Sequence, residues 1–428
     1  MPVPSGDAHA ALERAWQDHW ARLLALLVGR FRRLDLAEDA LAEAFAAAVR
    51  TWPRDGTPDS PAAWLLTAAR RRALDQVRAE AIARRREPLM VVDTEVRAHA
   101  AQAIHAGGHI PDERLRMLFT CCHPALSADA RAALALRFVN GLSVTEIARL
   151  FLVQESTMAA RLTRAKKKVA AAGIPFTLPA ADRLAERLEV VAAVIYLVFT
   201  AGYAPATGED PVRTSSAAEA IRLARLLDDL LPNQPVVLAL LGLMTLQHSR
   251  RDARVAADGS LVLLPDQDRT RWHTAEIRSG LDLLGRVPPG TSGLALEYLL
   301  QARIAAEHAV AARAADTRWH RIATLYSELE ALTGSPVVRL ARAVAVLEDE
   351  GPVAGLALLA GLEERLPHHH RLPAVRAELL ARAGRAPEAA ASFNAAIALC
   401  GNAAERDHLR RRAAEVGEQA GRGNEPSG

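Results

Sequence analysis

Basic side chains cluster along one predicted helix near the middle of the chain, where they could bind the phosphates and base edges of DNA. All three lysines of the 428-residue sequence, Lys166, Lys167 and Lys168, fall in this one place. Arginine can donate two hydrogen bonds to O6 and N7 of guanine, whereas a run of lysines suits phosphate oxygens. The side chains predicted to contact DNA are Ser156, Thr157, Ala160, Arg161, Arg164, Lys167 and Lys168.

Two helices joined by a turn are predicted to position this basic face. Ser143 and Thr145 can cap a short first helix over 145–151, and Ser156 or Thr157 can cap the second. Apolar residues at helical spacing give the second helix one buried side, so its basic side faces outward. An exposed, basic second helix is what the major groove of DNA accepts. The alternative interpretation is an ordinary helical hairpin with a solvated charged face.

Composition predicts an almost entirely helical protein. Half of the residues are hydrophobic and only 4% are aromatic, while alternating runs rich in Val and Ile are scarce. The length favours two to four domains. We expect a cytoplasmic protein, because no apolar run is long enough to span a membrane and the N-terminus lacks a signal-peptide pattern. The three cysteines do not suggest a disulfide framework.

Charge is distributed unevenly along the chain. Residues 1–178 hold 25 Lys or Arg against 19 Asp or Glu, a balance of +6. The remaining residues hold 28 against 31, a balance of −3. The first part is therefore suited to a polyanion and the second part is not.

Three helices are predicted before residue 86. The second has an acidic face with Glu38, Asp39 and Glu43. The third starts at Ser60 and Pro61, which fit the N-cap and first-turn positions of a helix. Its outward-facing arginines include Arg70, Arg71, Arg72 and Arg78.

With these residues in view, the first 173 residues resemble the extracytoplasmic-function (ECF) sigma factors of bacterial RNA polymerase. The second-region pattern appears as DLAEDALAEAF followed by AWLLTAARRRALDQVR. The fourth-region pattern appears as LSVTEIARLFLV and STMAARLTRAKKKV. Later segments, VIYLVFTAGYAPATGED, EAIRLARLLDDLLP and LPDQDRTRWH, look like the subgroup with a long tetratricopeptide-like C-terminal extension.

The resemblance implies an all-α transcription initiation factor that binds core RNA polymerase and directs it to promoters. Such a protein makes no bonds, so neither an enzymatic activity, a cofactor nor a metal site is expected. The domains it implies are sigma region 2 at 1–86, a linker at 87–111, sigma region 4 at 112–174 and the helical extension at 180–424.

The resemblance also assigns roles to residues by position. Core polymerase would be bound by Asp39, Glu43 and Phe45. The minus-10 promoter element would be bound by Trp64, Arg70, Arg71, Arg72, Asp75 and Arg78. The minus-35 element would be bound by the side chains predicted above to contact DNA. The family usually has Asn where this chain has Arg71, inside the helix that faces the minus-10 element.

The extension has two patterns of its own. Gly384, Ala389, Phe393 and Ala396 lie at the offsets of one tetratricopeptide repeat. The segment 266–272 is dense in polar residues, which predicts a buried salt-bridge network in first place and a ligand or partner site in second. We expect the extension either to clamp the sigma regions shut by an intramolecular contact, or to brace their active arrangement or add contacts to polymerase. The second of these is favoured.

Other classes of function are less well supported. The sequence contains no GxxxxGK[ST], HExxH or GxSxG pattern on which an enzyme could rest. Cys121, Cys122 and His123 are expected to be buried structural residues, because adjacent cysteines rarely chelate a metal well. The main alternative is a helix-turn-helix DNA-binding regulator with a ligand- or protein-sensing helical-repeat domain. A helical scaffold without DNA contact is a third possibility.

Overall fold

The computed structural model describes residues 5–84, 113–151, 153–179, 181–203, 214–256 and 262–422, so the predicted linker at 87–111 lies outside the described residues. The described residues are helical and contain no strand, which confirms the predicted all-α class. The chain divides into two compact units, Met1–Val198 and Phe199–Gly428. The division falls beyond residue 180, the predicted start of the extension.

The described part of the first unit contains eight helices, and the last of them continues past Val198. Their bounds are α1 Ser5–Phe31, α2 Leu34–Asp55, α3 Pro61–Arg84, α4 Glu113–Cys121, α5 Ala128–Phe138, α6 Val144–Leu150, α7 Glu155–Ala171 and α8 Ala181–Tyr203.

Helices α1 to α3 form a bundle around large apolar side chains. Trp20 is fully buried and stacks on Trp16 with ring centroids 4.0 Å apart. Gly56 ends α2 with a φ of +90°, and its N–H donates to the carbonyl oxygen of Trp52. α3 begins at Pro61 as predicted, since proline has the φ of a first-turn residue and needs no N–H partner there.

Serine side chains cap the starts of α5 and α6, and α6 begins at Val144, one residue before the predicted start. The N–H of Ala130 donates to the Ser127 hydroxyl at 3.4 Å. Ser143 forms a capping box, because its hydroxyl accepts from the N–H of Glu146 while the Glu146 carboxylate accepts from the N–H of Ser143. Ala148 is buried next to Ile147 on the inner side of α6. This capping fixes the first helix of the helix-turn-helix.

The second unit continues in helical hairpins after the end of α8. Its helices are α9 Thr214–Leu230, α10 Pro235–His248, α11 Thr274–Gly285, α12 Gly293–Val310, α13 Trp319–Thr333, α14 Pro336–Glu350, α15 Pro352–Leu358, α16 Leu362–Arg365, α17 Arg371–Arg382, α18 Ala386–Leu399 and α19 Ala403–Arg422. Among the described helices, none is both long and apolar enough to cross a membrane.

The last three helices contain the predicted repeat pattern. Gly384 follows α17 with a φ of +76°, which allows the chain to turn into α18. Ala389, Phe393 and Ala396 are fully buried in one core with residues of α17 and α19. The positions therefore serve as turn and core, and the assignment to a tetratricopeptide repeat stays a prediction.

Candidate nucleic-acid interface

Helix α7 has one apolar side in the core and one polar side in solvent. Met158, Leu162, Ala165 and Val169 are all less than a tenth exposed. A helix that buries such a stripe must turn its remaining residues outward. The predicted DNA-contacting residues that are exposed are Ser156, Thr157, Ala160, Arg164, Lys167 and Lys168.

The start of α7 differs from the prediction. The residue that precedes the helix is Gln154, which makes no side-chain capping hydrogen bond. Ser156 and Thr157 are therefore not caps, and they lie in the first turn as exposed side chains. In helix-turn-helix proteins, residues near the N-terminus of the second helix are the ones that reach base edges. The correction thus leaves both hydroxyls at a suitable position for contact with DNA.

The side chain of Arg161 is less exposed for contact with DNA than the helical spacing predicts. Its guanidinium lies 3.2 Å from a carboxylate oxygen of Asp129, and its side chain is only 25% exposed. The guanidinium also lies over the ring of Phe151, 5.6 Å from the centroid. Arg164, one turn further along, lies on the exposed face of α7 instead.

An open groove of about 670 Å³ lies between α2 and α3. It is lined by Asp39 and Glu43 from α2 and by Arg72 and Asp75 from α3. Nε of Arg72 lies 3.6 Å from a carboxylate oxygen of Glu43. Burial raises the pKa of Asp39, and the nearby charge of Lys166 opposes that rise. Residues predicted to bind polymerase and residues predicted to bind DNA therefore share one groove.

Phe45 does not belong to that exposed surface. It is 6% exposed, and its ring meets the ring of Trp16 edge to face at 5.0 Å. A buried ring cannot present itself to a partner, so the prediction that Phe45 contacts polymerase is corrected. It packs α2 against α1 and holds the acidic face in place.

Helix α3 presents its arginines as predicted. Arg70, Arg71, Arg72 and Arg78 are all exposed. Partial desolvation of the side chain and the neighbouring charge of Arg30 lower the pKa of Arg70. The minus-10 candidates also include Trp64 and Asp75. Trp64 is half-buried with its ring edge-on to Trp52, and Asp75 lies 3.4 Å from Arg78.

Known protein families match this arrangement region by region. Residues 15–82 match the family described as Sigma-70 region 2, and residues 116–169 match Sigma-70, region 4. The ECF RNA polymerase sigma factor SigK of Mycobacterium ulcerans (strain Agy99) is 34% identical over 150 residues, which are 34% of this chain and 76% of SigK. The chain belongs to the ECF sigma factors. SigK of Mycobacterium tuberculosis (strain ATCC 25618 / H37Rv) is 28% identical over 172 residues, or 39% of this chain and 87% of that protein.

The extension of this sigma factor also has relatives. Residues 187–287 match a family of unknown function, DUF6596. An uncharacterized protein of Rhizobium meliloti (strain 1021) is 45% identical over 392 residues, which are 90% of this chain and 91% of that protein. The protein is therefore a transcription initiation sigma factor with a C-terminal extension, and its family is one of non-enzymatic transcription factors whose partners are core RNA polymerase and promoter DNA.

Sequence reasoning missed one contact of the sigma factor, which joins α2 to α5 and α7. The carboxylate of Glu38 accepts hydrogen bonds from Arg137 and from Lys166. The lysine run therefore contributes only Lys167 and Lys168 to the exposed face. No local pattern could have revealed the pairing, because its partners are 99 and 128 residues from Glu38 along the chain.

The polar cluster of the extension is held mainly by backbone groups rather than by the salt bridges predicted for it. Arg269 donates to the carbonyl oxygens of His308 and Ala311 at 2.6 and 2.8 Å. Its guanidinium also lies over the buried ring of Trp272, 4.4 Å from the centroid. Asp268 accepts from the N–H of Thr270 and caps a 3₁₀ turn. Asp266 and Arg271 are exposed, while Gln267 is buried.

Proposed function

We propose that the two sigma regions divide promoter recognition between α3 and α7 while α2 docks on core polymerase. The exposed carboxylates of Asp39 and Glu43 suit a basic partner surface. The exposed arginines of α3 suit the displaced single strand at the minus-10 element. The exposed face of α7 suits the major groove of the minus-35 element.

The observation that carries this proposal is the placement of α7. It follows a capped α6, buries a continuous apolar stripe, and keeps Arg164, Lys167 and Lys168 in solvent. An arginine can distinguish guanine, while two lysines on the same face can neutralise phosphates. Specific and general DNA binding are thereby supported by different side chains of one helix.

Promoter binding by single variants tests this division. Promoters are first identified by run-off transcription from fragmented genomic DNA with purified core polymerase. Arg164→Ala should cost about 1–3 kcal/mol on a matched minus-35 element and relax base preference at one position. Lys167→Ala should weaken matched and scrambled elements alike and lower the salt slope by about 0.9. Equal losses on both elements for Arg164→Ala would contradict base readout.

Arg161→Ala is the companion variant. Because Arg161 is paired with Asp129, it can read a base only if that pair opens on DNA. We expect a loss on matched elements of about 1 kcal/mol, at the lower end of the range for a base contact. A larger loss than that of Arg164→Ala would mean that Arg161, rather than Arg164, makes the stronger contact with a base.

The extension is proposed to support the active arrangement of the sigma regions or to add contacts to polymerase. Its acidic balance and its helical hairpins are suited to protein rather than to nucleic acid. A fragment that ends at Tyr203 keeps α8 whole, and it should fold yet transcribe weakly from specific promoters. A fragment more active than the whole chain, at equal concentration, would show that the extension clamps the sigma regions shut.

A further inference from the structure

Three side chains that can ligate a metal ion converge among the last three helices, α17 to α19. They are His370, Cys400 and Glu405, and their ligand atoms all lie within 4.8 Å of one another. Nε2 of His370 lies 3.1 Å from Oε2 of Glu405. In the part of the chain that the structure describes, this is the one group of three histidine, cysteine or acidic side chains that could hold an ion.

Each of the three side chains is positioned by the end of a different helix. His370 directly precedes α17, Cys400 directly follows α18, and Glu405 lies in the first turn of α19. The side-chain oxygen of Asn402 accepts from the N–H of Glu405 at 3.0 Å, which fixes that turn. The ring of His369 stacks on the ring of His370 with 4° between the planes. Helix packing therefore brings together groups that lie up to 35 residues apart in the sequence.

The thiol of Cys400 is buried and only weakly hydrogen-bonded. The residue is 4% exposed, and Sγ donates to the carbonyl oxygen of Asn402 at 3.5 Å. Burial raises the pKa of this thiol, so it stays a neutral S–H group near pH 7 until an ion displaces its proton. A bound metal ion would replace that proton and convert the sulfur into a thiolate ligand.

The carboxylate of Glu405 is already an anion. A hydrogen bond from His370, together with the charge of Arg371, lowers the pKa of Glu405 to about 2. Arg371 competes with a metal ion for this carboxylate, because its guanidinium donates to Oε1 at 2.9 Å. The Arg371 side chain is 57% exposed, so water screens the pair and a dication can displace the guanidinium.

This set of donor atoms suits zinc. Zn²⁺ binds cysteine sulfur at about 2.3 Å, histidine nitrogen at about 2.0–2.1 Å and carboxylate oxygen at about 2.0–2.2 Å. Ligand atoms around one tetrahedral zinc ion are then roughly 3.3–3.8 Å apart, so small movements of the three side chains suffice for coordination. Mg²⁺ and Ca²⁺ prefer oxygen ligands throughout. Three protein ligands leave the fourth position of the ion to water.

We propose that His370, Cys400 and Glu405 bind one Zn²⁺ ion that joins the ends of α17, α18 and α19. His370 binds the ion through Nε2 and keeps a proton on Nδ1, while Cys400 releases its thiol proton to solvent and Arg371 leaves Glu405. The ion would couple the last helices of the extension to the supply of zinc. The sigma-factor resemblance implied no metal site, and the ligands follow no zinc-binding spacing in the sequence. The inference rests on local geometry and is independent of the proposed function.

Metal binding to the full-length chain tests the site. The protein is prepared without a histidine tag, reduced, and freed of metal with a chelator. Competition with a chromophoric zinc chelator gives the stoichiometry and the dissociation constant, and Co²⁺ serves as a spectroscopic probe. We expect one zinc ion per chain. With Co²⁺ we expect a thiolate-to-metal charge-transfer band together with the intense visible bands of a tetrahedral ion.

Three variants each remove one ligand. Cys400→Ser, His370→Gln and Glu405→Gln should each weaken zinc binding about 100-fold or more, because even the loss of an outer partner of a ligand costs roughly 10–100-fold. Cys400→Ser should also abolish the charge-transfer band. His368→Gln changes an exposed histidine outside the group and is the matched control, which should bind zinc like the wild type. Circular dichroism verifies that all variants are folded.

Arg371→Gln distinguishes a metal site from a purely structural ion pair. Removal of the competing guanidinium should tighten zinc binding by about two- to fivefold, which corresponds to the loss of one exposed ion pair. A misfolded variant could not produce this gain. Unchanged or weaker zinc binding by Arg371→Gln would contradict ligation by Glu405.

The remaining outcomes decide the site as a whole. Absence of zinc binding by the wild-type chain would overturn the proposal. Equal affinity of the wild type and Cys400→Ser would also overturn it, because the ion would then be an adventitious ion only, held by other side chains. A Co²⁺ complex without the charge-transfer band would exclude Cys400 as a ligand.

Discussion

The two units of this sigma factor use their cationic side chains differently. In the described part of the first unit, Arg71, Arg164, Lys167 and Lys168 are exposed and form no ion pair. In the second unit, arginines connect neighbouring helices. Arg412 of α19, for example, binds Glu378 of α17 at 2.7 and 2.8 Å.

Other arginines of the second unit also form ion pairs with glutamates. Arg339 and Arg342 of α14 both bind Glu330 of α13, and Arg251 binds Glu276 of α11. Cations that are neutralised by internal carboxylates cannot neutralise phosphates as well. The charge balances of the two units, +5 for residues 1–198 and −2 for residues 199–428, therefore reflect two roles of the cations, one directed at a polyanion and one at the packing of helices.

The largest effect should come from removing the exposed cations of α7 together. Arg164→Ala, Lys167→Ala and Lys168→Ala in one chain should weaken promoter binding by about 100-fold and reduce the salt slope by about 1.8, since two of the three contacts are to phosphates. Fluorescence anisotropy over a salt series measures both quantities. Arg410→Ala, on an exposed arginine of the second unit, is the matched control and should change neither. An unchanged salt slope in the triple variant would contradict the binding of phosphates by the exposed cations of the first unit.

The next effect should be a dependence of the stability of the second unit on pH. Burial, with the charges of Arg250 and Arg269, lowers the pKa of His308 from 6.5 to about 4. The unfolded chain therefore takes up a proton first as the pH falls. Stability is fully present above pH 6.5 and is lost between pH 6.5 and about 4, by about 3 kcal/mol.

His308→Gln removes this titration. The difference in free energy of unfolding between wild type and variant, from urea titrations of the second unit, should shrink by about 3 kcal/mol over the same pH window. A difference that is constant with pH would show that His308 is not held neutral by its surroundings.

Promoter opening should depend on α3. Arg71→Ala with Arg72→Ala should spare binding to core polymerase but reduce open complex roughly tenfold, because both side chains are exposed and are proposed to hold the displaced strand. Permanganate reactivity of unpaired thymines reports the opening. A pre-melted promoter should rescue the double variant, and absence of rescue would contradict a role in holding the single strand.

The smallest effect should appear in the ionic pairs of the second unit. Arg412→Ala should lower the free energy of unfolding by about 1 kcal/mol, since the pair is one-third exposed and screened by water. Promoter binding at fixed temperature should stay at the wild-type value. A change in the salt slope of DNA binding would mean that this arginine also contacts the polyanion.

The sequence was sufficient to predict the helix-turn-helix because local chemistry determines it. Ser127 and Ser143 cap α5 and α6 through their own side chains, and the apolar stripe of α7 has a single helical period. The two sigma regions could be recognised for the same reason. Where capping is absent, as at Gln154, the predicted start of the helix was wrong.

Register and long-range contacts were harder to predict. In α3, Ala73 is fully buried while the more hydrophobic Leu74 beside it is 37% exposed. Alanine-rich helices offer several faces of similar hydrophobicity, so tertiary packing decides among them. Phe45 and Glu38 illustrate the same limit, because only the folded bundle shows that one is covered by Trp16 and the other by region 4.

Run-off transcription with purified core polymerase is the most direct test of promoter-directed initiation through the exposed cations of α7. Fragmented genomic DNA is transcribed with wild-type protein and with the triple variant of Arg164, Lys167 and Lys168, and transcript starts are mapped. We expect a small set of defined starts with the wild type, all strongly reduced in the variant, while both proteins co-elute with polymerase. Defined starts of equal strength with the variant, or no added starts with the wild type, would contradict it.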